Sequence, residues 1–124
     1  MAKIEITDPE YTLEIQYNDG LIETGSGMLG AFLRRLQETK ARFAVSQLTL
    51  TGLGGSDYQF ALKGADGRIF DVHYLLDRRD YLIVETVRLE NLRASEVELV
   101  QALRAAVFDL VLKHQAYALE YVTV

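Results

Sequence analysis

Apolar and polar positions alternate along most of this chain, and the alternation gives way twice to a helical period. Ile4 and Ile6 alternate with Lys3, Glu5 and Thr7. Pro9 interrupts, and Tyr11, Leu13, Ile15 and Tyr17 then alternate with Thr12, Glu14 and Gln16. A period of two puts the apolar side chains on one face of a strand. Asn18-Asp19-Gly20 tolerates positive φ, which predicts a turn with residues 21–23 as a short return strand. Over 26–43 the period lengthens. Met28, Leu29, Phe32, Leu33, Leu36 and Phe43 share one helical face, and Arg34, Arg35, Glu38 and Arg42 share the other.

Four more strands follow. They are carried by Leu48 and Leu50, by Tyr58, Phe60 and Leu62, by Phe70, Val72, Tyr74 and Leu76, and by residues 81–91. Their connections are too short for a parallel crossover, so a meander is expected. Ser95 to Leu119 reads as one long helix, opened by a capping box of Ser95 and Glu98. The order ββ-α-ββββ-α predicts one α+β domain over residues 1–124. Its expected form is an antiparallel sheet with a long C-terminal helix packed on one face.

Composition removes whole classes of chemistry. The 124 residues include no Cys, which excludes disulfides, thiolate nucleophiles and cysteine metal sites. The net charge of −5 opposes non-specific binding to nucleic acid or anionic membrane. The longest mostly apolar stretch, 105–112, contains Asp109 and falls far short of the ~20 residues a bilayer span needs. The N-terminal residues alternate charged with apolar, unlike a signal peptide, so a cytoplasmic location is expected.

Gly25-Ser26-Gly27-Met28-Leu29-Gly30 fits G-x-G-x-x-G at the start of a helix. Dinucleotide folds need an acidic residue about 20 positions on, and Val45 to Gly52 holds none. The segment reads as a turn and helix start instead. Asp71 and His73 share a strand face, but two ligands do not make a metal site. No catalytic set, metal site or cofactor is expected.

Two groups of residues stand out. Glu85 sits among Tyr81, Ile83, Val87 and Leu89 on one strand face, and His114 projects from the apolar side of the last helix. Both would point into the layer between sheet and helix, where an acid and a base could pair or hold a ligand. Tyr58 and Tyr74 lie on the same kind of face, so Tyr58, Tyr74, Tyr81, Glu85 and His114 would line a cavity. Separately, Phe108, Leu112 and Leu119 would form a second apolar stripe on the last helix. A helix covering one sheet needs one stripe, so the second is expected at a homodimer interface or under another protein, with helix 26–43 as its other possible cover.

In outline, a sheet gripped by a long C-terminal helix resembles a reduced helix-grip ligand-binding fold. Small acidic α+β dimers also include secretion chaperones and immunity proteins. The favoured expectation is a non-enzymatic protein-binding or adaptor domain of that chaperone- or immunity-like kind, working as a homodimer. The alternative is a catalytic or small-ligand-binding domain whose cavity takes an apolar molecule.

Overall fold

A computed structural model describes residues 2–8, 11–17, 27–53, 55–77, 82–89, 91–112 and 118–123. The elements in chain order are β1 (Ala2–Asp8), β2 (Tyr11–Tyr17), α1 (Gly27–Arg42), β3 (Gln47–Leu53), β4 (Asp57–Lys63), β5 (Ile69–Asp77), β6 (Leu82–Arg88), α2 (Ala94–Leu112) and β7 (Ala118–Thr123). The strands form one sheet in the order β1-β2-β3-β4-β5-β6-β7. The sheet is mostly antiparallel, and β3 to β6 form a meander. Two neighbours, β2 with β3 and β6 with β7, run parallel, because α1 and α2 carry the chain back between them. The class is α+β. The turn at 18–20, the return strand at 21–23 and the first part of the glycine motif lie outside the described residues.

Alternation in sequence becomes alternation in burial. Along β4 and β5 each apolar residue from Tyr58 to Leu62 and from Phe70 to Leu76 is buried at every second position. Leu75 is an apolar exception and faces out. Leu13, Leu50, Phe60, Val72, Tyr74 and Ile83 are at most 1% exposed and form one core cluster with Phe32 and Leu36 of α1 and Leu99, Leu103 and Val107 of α2. Burying one such Leu, Ile or Phe contributes about 1.5–3 kcal/mol. The two helices lie against each other, with Arg35 of α1 ion-paired to Asp109 of α2. No helix among the described residues is long and apolar enough to cross a membrane.

The C-terminal helix is shorter than its expected span. It ends at Leu112, and 118–123 form a seventh strand paired with β6. Tyr121, Val122 and Thr123 favour extended backbone, and the strand satisfies backbone groups that β6 would otherwise leave at an edge. The helix start also differs. Arg93 is the N-cap, because its carbonyl accepts the first helical hydrogen bond from Val97. Glu96, three residues on, accepts the Arg93 N–H at 2.9 Å and also Arg68 Nε at 3.0 Å. Glu96 therefore takes the role expected of Glu98, which is exposed.

The end of α1 is a Schellman motif. Val45 N–H donates to the Lys40 carbonyl at 3.0 Å and Ala44 N–H to the Ala41 carbonyl at 3.4 Å. Ala44 sits between them with φ at 52°, a conformation that usually requires glycine.

Candidate functional site

The strongest buried polar feature crosses the layer between sheet and helices. Tyr74 and Glu85 are register partners on β5 and β6. Alternation turns both inward, and they are 0% and 3% exposed. The Tyr74 hydroxyl donates to Glu85 Oε2 at 2.6 Å. Arg104 of α2 donates twice to the same carboxylate, Nε to Oε2 and Nη2 to Oε1, each at 2.8 Å. Such two-pronged contact holds both charge and orientation. Phe60 packs edge-on against the Tyr74 ring, with centroids 6.1 Å apart.

This arrangement is a clamp and is poorly suited to proton transfer. Burial pushes the Tyr74 hydroxyl far above the ordinary tyrosine range, and the Glu85 charge beside it adds to the shift. The hydroxyl therefore stays protonated and keeps donating. Both carboxylate oxygens already accept from protein donors. Among the described residues, no buried side-chain nitrogen or oxygen lacks a hydrogen-bond partner.

Of the five residues expected to line an internal cavity, Tyr74 and Glu85 meet directly. Tyr58 is the register partner of Tyr74 on β4 and is buried on the same face. Tyr81 and His114 lie outside the described residues. Arg104, the base that Glu85 does engage, is absent from the expected set. It is the one basic residue within α2, one turn from Val100 and from Phe108, and that isolation in an apolar helix was its signal.

The second apolar stripe does not form on one helix. Phe108 is half-buried and packs against this chain's own core. Leu112 ends α2, and Leu119 lies in β7 in register with Ile83.

The other face of the sheet has no element over it among the described residues. Register builds it as rows across the strands. Thr49, Ala61, Asp71 and Arg88 form one row, and Thr51, Gln59, His73 and Thr86 form the next. These side chains surround an open concavity of about 420 Å³. Its floor is low because Thr and Ala are short. His73 Nε2 lies 2.7 Å from Asp57 Oδ1, so His73 pairs along the sheet with β4 and not with Asp71. Among the described residues, no group of three or more His, Asp or Glu is placed to hold a metal ion. The face also carries Ile69, 68% exposed, and Leu75, 40% exposed.

No protein-family model matches this chain, and no curated protein or solved structure is significantly similar to it.

Proposed function

We propose that this chain is a non-enzymatic protein-binding domain of the cytoplasm, and that its working surface is the open face of the sheet. The observation that carries the reading is the exposure of Ile69 and Leu75 on β5, a strand whose other face is fully packed. Both helices grip the inner face, with the clamp at Glu85 fixing α2 to β6. Large apolar side chains left on an otherwise polar sheet gain by being covered. Asp57, Asp71 and Asp77 lie on the same face, and the chain carries −5 overall. A basic partner is attracted by that charge, whereas a second copy of this acidic chain is repelled. The partner is therefore a different protein, with a cationic surface that contains an apolar patch.

A photo-crosslinking residue placed at Leu75, and separately at the exposed Ala105 of α2, tests this. Crosslinks to a basic protein are expected from position 75 alone. They should weaken with salt and vanish when Ile69 and the other apolar contacts of the face are made acidic. A product between two copies of this chain, or crosslinks from position 105 only, would refute the reading.

A further inference from the structure

Asp71 and Arg88 stand opposite each other on β5 and β6 and face the same side. Residues so placed have Cβ atoms about 4.5–5.5 Å apart, close enough for opposite charges to pair. They do not pair. Among the described residues neither side chain has a hydrogen-bond or ion-pair partner, although other charges on the sheet, such as Lys3 with Glu14 and His73 with Asp57, do. The two unpaired charges border the concavity, whose remaining polar side chains are the hydroxyls of Thr49, Thr51 and Thr86, the Gln59 amide and the His73 imidazole.

We infer that this concavity is a binding site for a small zwitterion of the free amino-acid class with a polar side chain. The ammonium group meets the Asp71 carboxylate and the carboxylate meets the Arg88 guanidinium. The side chain lies over the hydroxyl and amide row. A ligand with one charge leaves the opposite protein charge uncompensated beside it, and a phosphate is repelled by Asp71. A volume of about 420 Å³ admits a free amino acid with room for its bound water. His73 borders the site with Nε2 held by Asp57, which leaves Nδ1 for the ligand. The site is solvent-open and rests on two charge contacts, so affinity on the order of 1 mM is expected.

The inference goes beyond the protein-binding reading and stands without it. The test is titration of the isotope-labelled protein with L-glutamine, followed by the backbone amide shifts of Thr49, Asp71, Thr86 and Arg88. Two analogues, N-acetyl-L-glutamine and L-glutamine amide, each remove one ligand charge. Each analogue should bind about tenfold more weakly, as should Asp71→Asn and Arg88→Gln with L-glutamine itself. The exchange Asp71→Arg with Arg88→Asp keeps both charges and should recover affinity above either single variant. Equal binding of the singly charged analogues, or no shifts at these four amides, overturns the proposal. Making Ile69 and Leu75 acidic removes the partner patch and should leave the L-glutamine shifts in place, so failure of one reading is separable from failure of the other.

Discussion

Tyr74 and Glu85 face each other across β5 and β6, and the tyrosine hydroxyl donates to the carboxylate at 2.6 Å. Arg104 reaches that same carboxylate from α2. Three consecutive elements of the chain are thus joined at one buried anion. A buried ion pair adds little net stability compared with apolar residues, but removing one partner strands the other.

Removal of Arg104 should therefore be the most damaging change at this clamp. Arg104→Met is expected to cost about 3–5 kcal/mol in urea denaturation, because Glu85 keeps its burial and loses its counter-charge. Tyr74→Phe removes one hydrogen bond to a charged group and should cost about 2 kcal/mol. The double change Glu85→Leu with Arg104→Met should recover most of the loss of Arg104→Met alone. If Arg104→Met proves milder than Tyr74→Phe, the arginine is not the anchor.

Lys40 gives the protein an alkaline stability rise. It is 1% exposed, and burial lowers its pKa to about 8 from an ordinary 10.5. Between those values the unfolded chain holds one more proton than the folded one, so stability increases with pH at up to about 1.4 kcal/mol per unit. Tyr74 acts in the opposite sense at higher pH. Its folded pKa is raised above the ordinary 10, so its contribution is present below that pH and is lost above it. Denaturation midpoints should climb from pH 8 to 10 and then level or fall. In Lys40→Met the climb should be absent, and its persistence there would reassign it to another group.

Ala44→Gly should stabilise the protein. Ala44 holds φ at 52° in the Schellman motif that ends α1, and its side chain is exposed. Relief of the left-handed strain is worth about 1 kcal/mol, offset in part by the greater freedom of glycine when unfolded. A thermal midpoint that rises by a few degrees would support this, and a fall would show that the Cβ has a packing role.

Gly52→Ala should do the reverse. Gly52 has φ at 87°, and an added Cβ would fall 1.8 Å from the Asp57 carbonyl oxygen. The β3–β4 connection must then open, at a cost of about 2–4 kcal/mol. Because Asp57 also holds His73, the His73 ring resonances should shift in the same variant. A variant of unchanged stability and unchanged His73 signals would show that the connection adapts freely.

The meander was legible because a buried face forces a two-residue period, and β4 and β5 keep their inner face apolar at every second position, with Ala61, Ile69 and Leu75 as apolar residues on the outer one. The inward aim of Glu85 was legible for the same reason. Its partner was less so, since register and helix rotation must both be known before Arg104 is seen to reach β6. Arg93 escaped notice as an N-cap because its side chain has no acceptor for the first-turn N–H groups, and Glu96 supplies the contact to the cap by reaching back instead. The open-face site was the least legible. Asp71 and Arg88 are 17 positions apart, and only strand pairing makes them neighbours.

Strand order in the sheet equals strand order in the chain. No strand is threaded between two that precede it, so each can dock on an edge already formed. The β3–β6 meander closes only short loops, which favours its early assembly over the two helical crossovers. Opening of β1 or β7 then removes an end of the array and leaves the pairing of β3 to β6 whole, so hydrogen exchange should fade inward from both edges toward the centre.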